Sequence, residues 1–158
     1  MARQLRFYFD YVSHNAYLAW TQLDALAARH ELEIVLEPVL FAGMLNAHGQ
    51  LGPAEIGPKS RWMLRDVLRK AQRFEVPIAP PVAHPFSPLL ALRCTCSPLA
   101  DSRREALVGA LFEAAWVASR YVTDAATVAD VAQSVGLDGA AAFFSLRSSC
   151  WPPRRCRR

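Results

Sequence analysis

The first 38 residues constrain this chain most, because two short apolar runs there flank a helical pattern. LRFYFD (5–10) is aromatic-rich and nearly continuous in apolar character, which reads as a strand buried on both faces. NAYLAWTQLDALAARH (15–30) places Leu23, Leu26, Ala27 and His30 at i, i+3, i+4 and i+7, the stripe of an amphipathic helix. LEIVLE (32–37) alternates as a second strand and ends at Pro38. Parallel strands need a crossover of roughly a dozen residues or more, and the helical stretch supplies one. The order strand–helix–strand therefore predicts a parallel pair, the opening of an α/β domain.

Beyond Pro38 the pattern changes, and residues 41–135 show only helices and loops. LNAHGQLGPAEIGP reads as a polar loop. A helix over 59–74 presents Trp62, Val67, Leu68, Ala71 and Phe74 as its apolar face. The prolines of EVPIAPPVAHPFSP enforce an extended path. LLALRC is a short helix. Ser102 and Glu105 stand at capping-box spacing, opening a long helix to about Tyr121. Thr123 or Asp124 caps a further helix that stops at Gly136, and Asp138 caps a last one to Leu146. The expected organisation is a βαβ half over 1–40, an inserted helical domain over 41–135, a last helix over 136–146 leading back, and a disordered tail over 147–158.

Composition matters mainly at that tail. The formal charge is +4, yet Arg147, Arg154, Arg155, Arg157 and Arg158 sit in a stretch without Asp or Glu. Without those five arginines the charge of residues 1–146 is −1, so no basic stripe for nucleic acid is expected. RSSCWPPRRCRR has no periodicity and reads as a segment foreign to this fold, as a reading-frame change near residue 145 would produce. No apolar run reaches the roughly 18 residues that span a bilayer. The N-terminus lacks a small-residue cleavage site, so a cytoplasmic protein is the expectation. Cys94, Cys96, Cys150 and Cys156 form no C-x-x-C pair and fit no usual zinc spacing. No two histidines share metal-ligand spacing with a carboxylate, so no metal site is expected.

Three ordered stretches together suggest a family. FDYVSHNAYLAW resembles the F-D-x-x-S-P-x-x-Y-L-A signature of 2-hydroxychromene-2-carboxylate isomerases and the related kappa-class glutathione transferases. GPKSRWMLRDVLRKAQRFEVPIAPP looks like that family's P-x-K-x-x-Y-x-x-x-D-x-x-R…G-x-P segment. AHPFSPLLALR looks like its F-P-x-N-x-L-x-A-x-R segment. The resemblance implies a DsbA-like thioredoxin fold carrying a large inserted all-helical domain. It also implies that the family's V-P-T-F segment with a cis-proline, its β-hairpin and its closing helix are missing from this sequence.

The resemblance further implies glutathione as cofactor and Ser13 as the residue that contacts its sulfur. A serine where thioredoxin-like proteins carry a redox cysteine makes no disulfide, but it can donate a hydrogen bond. A helix N-terminus beside it favours an ionised thiol. The implied reaction is isomerisation of an aromatic-derived 2-oxo acid through reversible thiolate addition. Ser13 also reads as an ordinary helix cap. His14 stands where the family often has proline, as a general base or a tolerated loop residue.

Lys59 matches the family lysine and would meet a carboxylate of glutathione or substrate; it equally reads as a solvated residue. Asp66 and Arg69 read as a surface pair. Trp62 replaces the family tyrosine, Ser87 replaces an asparagine, and Asn15, Asn46, Gln50 and Trp62 are the substrate-contact candidates. The alternatives are a kappa-class-like glutathione transferase, a truncated noncatalytic relative and a disulfide oxidoreductase; the absent C-x-x-C argues against the last. A homodimer is what family membership implies.

Overall fold

The computed structural model describes residues 3–139 and 141. The expected tail, Cys150, Cys156 and nearly all of the expected last helix lie outside the described residues. Strand β1 (Arg3–Phe9), helix α1 (His14–His30) and strand β2 (Leu32–Pro38) form the opening unit. The strands pair in parallel from Arg3↔Leu32 to Phe9↔Pro38. Among the described residues they form a two-stranded sheet.

β1 is not buried on both faces as its apolar run suggests. Leu5 and Phe7 are half-buried and Phe9 is buried, whereas Gln4, Arg6 and Tyr8 face solvent. The strand obeys the period-two rule, and the aromatic Tyr8 disguises it in sequence. On the inner face Phe7 and Phe9 stack with ring centroids 5.4 Å apart. On the outer face Arg6 and Glu37 pair across the strands at 2.8 Å. The α1 stripe is likewise half right: Leu23 and Ala27 are buried, while Leu26 and His30 are exposed. α1 ends on Glu31, which adopts the left-handed conformation at φ 51° and returns its amide to Ala27 and Ala28.

The helical section contains α2 (Phe41–Ala47), α3 (Gly57–Phe74), α4 (Leu89–Cys96), α5 (Arg104–Trp116) and α6 (Ala125–Ser134), with 3-10 turns at Pro53–Glu55 and Pro98–Arg103. α2 begins just before the expected polar loop. Only Val67 and Ala71 of the expected α3 face are buried; Trp62, Leu68 and Phe74 lie exposed. The predicted capping box at Ser102 does not form, because Ser102 lies inside the 3-10 turn and α5 starts without a side-chain cap. α5 also stops at Trp116, short of Tyr121. Asp124 does cap α6, accepting the Thr127 amide at 3.0 Å, and Asp138 accepts the Ala141 amide at 3.1 Å.

The core is built around α5, which is apolar on almost all sides. Leu107, Val108, Leu111, Phe112, Ala115 and Trp116 are buried there, as expected for a helix surrounded by other elements. Phe9, Tyr11, Tyr17, Leu18, Val67, Leu92 and Val128 join the same cluster, so β1, α1, α3, α4 and α6 share one core. The proline-rich segment 75–88 is non-helical as expected, but it is bent over 82–85 and not extended throughout; Val76, Ile78 and Phe86 pack it against this core as a strap. Tyr17 donates its hydroxyl to the Pro77 carbonyl at 2.6 Å, and the Ala79 amide donates to the Trp116 carbonyl at 2.7 Å. That strap carries His84 and Phe86 to the start of α1.

Candidate functional site

Chain direction places the site. β1 runs out at Phe9, the chain turns through Asp10–Val12, and α1 begins on Ser13. Ser13 has extended backbone at φ −94°, ψ 109°, and its Oγ accepts the Ala16 amide at 3.2 Å. The hydroxyl therefore caps α1 through its oxygen and keeps its hydrogen as a donor. The Ser13 amide is held by the Asp10 carbonyl at 3.0 Å.

Asp10 organises the turn. It is 3% exposed, and its two carboxylate oxygens accept the amides of Val12 at 3.1 Å and Phe41 at 2.8 Å. One side chain thus ties the end of β1 to the first residue of α2. Burial raises its pKa to about 6, against the downward pull of the Phe41 and Val12 amides. Next to it Tyr11 is fully buried, its hydroxyl 2.6 Å from Thr95 Oγ1.

His14 opens α1 and is half-buried. Its Nδ1 accepts the Asn15 amide at 2.8 Å, while its buried Nε2 has no partner among the described residues. The ring lies 6.2 Å from that of His84 and 5.8 Å from that of Trp116. Burial, then the positive charges of His84 and Lys70, lower the His14 pKa, with Asp66 opposing. His84 follows the strap and meets the Val12 carbonyl through Nε2 at 3.1 Å. The His84–Pro85 peptide bond is cis.

Two clefts meet at His14. The first, about 300 Å³, is lined by Ser13, His14, Phe41, Leu45, Met63 and Phe86, among others. The second, about 410 Å³, lies between α3 and the strap, with Arg61, Leu64, Leu68, Ile78 and Trp116 in its walls. His14, Met63 and His84 line both. Such apolar walls with a few converging polar groups are the usual form of a small-molecule site.

Ser13 and Asn15 line the first cleft, so the structure brings those two candidates together. Asn15 also accepts Lys70 Nζ at 3.3 Å, and Lys70 is paired with Asp66 at 2.6 Å. Asp66 thus finds Lys70, its i+4 neighbour, where the sequence suggested Arg69. Lys59, Asn46, Gln50 and Trp62 are exposed and line neither cleft. Trp62 shows 62% of its surface. Nothing in the sequence pattern singles out Arg61, His84 or Trp116 as site residues, yet all three line the second cleft. Trp116 carries only a general signal, since an indole N–H at the end of an apolar helix needs an acceptor once buried.

Among the described residues no three His, Cys, Asp or Glu side chains converge as a metal set. Cys94 is buried in α4 and burial pushes its thiol up to about 11, so it is not a ready thiolate near neutral pH. No helix among the described residues is long and apolar enough to cross a membrane.

Comparison with known proteins agrees with this architecture. Residues 4–150 match the family model of the DSBA-like thioredoxin domain. The chain is 31% identical over 153 residues to a 2-hydroxychromene-2-carboxylate isomerase of Sphingobium xenophagum, covering 94% of this chain and 76% of that protein. A solved structure of a 2-hydroxychromene-2-carboxylate isomerase superposes with a TM-score of 0.80 at 25% identity, over 91% of this chain and 71% of the other. The cytosolic disulfide reductase DsbM of Pseudomonas aeruginosa shares the fold at a TM-score of 0.63 and 17% identity, over 90% and 72%. On the strength of the domain match and the isomerase relatives, this chain belongs to the DSBA-like thioredoxin-domain family, in the group of the 2-hydroxychromene-2-carboxylate isomerases.

Proposed function

We propose that this protein is a glutathione-dependent isomerase acting on an aromatic-derived 2-oxo acid. The observation that carries the reading is the Ser13 hydroxyl, capping α1 through its oxygen at 3.2 Å from the Ala16 amide and lining an apolar cleft. Its hydrogen is a donor at the positive end of a 17-residue helix, a place that favours a sulfur anion. The isomerase relative supports the reaction class.

The residues present suit such a cofactor. Ser13 would hold the sulfur, and Arg61, in the wall of the second cleft, offers a cation for a carboxylate. Lys59, two residues before it on α3, lines neither cleft, so Arg61 is the cation proposed here in place of the family lysine. Bound glutathione would supply a nucleophilic sulfur able to add reversibly to a conjugated carbonyl compound, freeing its double bond to rotate. The protein would orient the two partners in the adjoining clefts. Phe41, Leu45, Met63 and Phe86 form the apolar wall on which an aromatic ring would rest.

The test follows 2-hydroxychromene-2-carboxylate spectroscopically with and without glutathione. Isomerisation that requires catalytic glutathione and leaves it unconsumed is the expected result. Isomerisation unaffected by its removal would overturn the cofactor assignment. Accumulation of a stable sulfur adduct in place of the isomer would assign the site to conjugation.

A further inference from the structure

We propose that His14 is a neutral hydrogen-bond donor to the substrate, its Nε2–H stabilising the negative charge that develops on the substrate's carbonyl oxygen. The inference rests on the isomerase reading above and adds a second catalytic residue beside Ser13.

The tautomer follows from the partners. A backbone amide has only a hydrogen to offer, so the 2.8 Å contact from the Asn15 amide requires a lone pair on His14 Nδ1. The neutral ring then carries its proton on Nε2. That nitrogen is buried and has no partner among the described residues, although polar atoms in such positions are ordinarily satisfied. It belongs to a side chain in the wall shared by both clefts. An unmet donor there is suited to an oxygen arriving with a ligand.

The surroundings hold the ring in place and keep it uncharged. Trp116 and His84 flank it at 5.8 and 6.2 Å between centroids. His84 is not an equivalent donor, because its own Nε2 is engaged by the Val12 carbonyl at 3.1 Å. The positive end of α1, His84 and Lys70 all disfavour an imidazolium, and Asp66 is the opposing charge. A neutral imidazole that donates without giving up its proton is an established way to polarise a carbonyl.

Bound glutathione would supply the sulfur that adds to the conjugated carbon and later leaves it. His14 Nε2–H would share its hydrogen with the carbonyl oxygen while that oxygen holds the electron pair displaced from the double bond, and would release it as the pair returns. The reaction consumes no proton, oxidant or reductant.

Three measurements test the proposal. In ¹⁵N-edited NMR of the protein alone, His14 should show protonated Nε2 and unprotonated Nδ1 near neutral pH; the opposite tautomer would overturn the assignment without any reference to turnover. Phenylpyruvate, an aromatic 2-oxo acid, added without glutathione should shift the Nε2 resonance, and an unmoved resonance would count against a ligand-facing donor. In the turnover assay, His14→Phe should lower kcat about a hundredfold with KM little changed, as for loss of one oxyanion donor. His14→Gln, which retains an N–H, should recover about a tenth or more of wild-type kcat, and its folding is checked by circular dichroism in case the Phe variant unfolds. His14→Phe turnover within threefold of wild type would end the proposal. Wild-type protein that shows the expected tautomer and phenylpyruvate shift but no glutathione-dependent turnover would overturn the reaction class while supporting the donor.

Discussion

The indole of Trp116 donates from Nε1 to the backbone carbonyl of Tyr11 at 2.8 Å, joining residues 105 positions apart. This bond fastens the last residue of α5 to the turn between β1 and α1. The same indole flanks His14 and His84, so one buried side chain sets both the turn and the ring pair. Replacing it with phenylalanine keeps an aromatic ring but leaves the Tyr11 carbonyl without this donor. Trp116→Phe should destabilise the fold by about 1–3 kcal/mol, the cost of a buried unsatisfied group, read from urea unfolding. A change below a few tenths would show that the carbonyl finds another partner.

Tyr11 and Thr95 form a second long-range bond, and its direction is determined. Thr95 Oγ1 donates to the Ala91 carbonyl at 2.9 Å, so the Tyr11 hydroxyl donates to Thr95 at 2.6 Å. Tyr11→Phe removes a donor whose acceptor keeps its other bond, and should cost about 1 kcal/mol. Thr95→Val strands a buried hydroxyl and should cost about 1–3 kcal/mol. The double variant should lose less than the sum of the two, as a double-mutant cycle by chemical denaturation would register. Strict additivity would mean that the two groups do not interact.

At Ser13, capping and chemistry separate by choice of substituent. Ser13→Ala loses the cap and should cost about 1 kcal/mol along with turnover. Ser13→Asp keeps a cap of equal quality but has no hydrogen to donate at neutral pH. It should match wild type in thermal unfolding and be inactive with glutathione. An active Asp variant would remove the donor role of the hydroxyl.

Asp10 makes stability depend on pH in the direction opposite to most carboxylates. Its carboxyl titrates at about 6 in the fold against an ordinary 3.8. Between those values the folded protein holds a proton that the unfolded chain has released. Stability from this group is therefore greatest at the acid end and declines as pH rises from about 4 through 6, by on the order of 3 kcal/mol. Asp10→Asn should flatten that slope in urea titrations at successive pH values, whatever its effect on absolute stability. An unchanged slope would place the dependence on another group.

The opening unit was legible because its information is local. Apolar runs, a helix-period stripe and Ser13 at the join are short-range features. They predicted the parallel pairing of β1 and β2, the helix between them and the capped position, and the motif that marks the family begins in the same stretch. Caps behaved unevenly for the same reason. Asp124 capped as its spacing suggests, but Ser102 did not, because the 3-10 turn from Pro98 to Arg103 took up the chain first. Apolar character overstates burial on β1 and α3, where Tyr8, Trp62 and Leu68 are exposed. Hydrophobicity permits burial, but only neighbouring elements impose it.

By itself the sequence determined the βαβ start, the serine at the mouth of α1, the non-helical proline strap and the family. Tertiary structure alone decided that His14 meets His84 and Trp116, that Asp10 reaches across to Phe41, and that Ser13 and Asn15 line a cleft while Lys59, Asn46 and Gln50 do not. The reason is physical. Periodicity and capping act over one or two helical turns and can be read along the chain, whereas the site is assembled from residues 14, 84 and 116, whose proximity arises only when α5 and the strap pack against the end of β1.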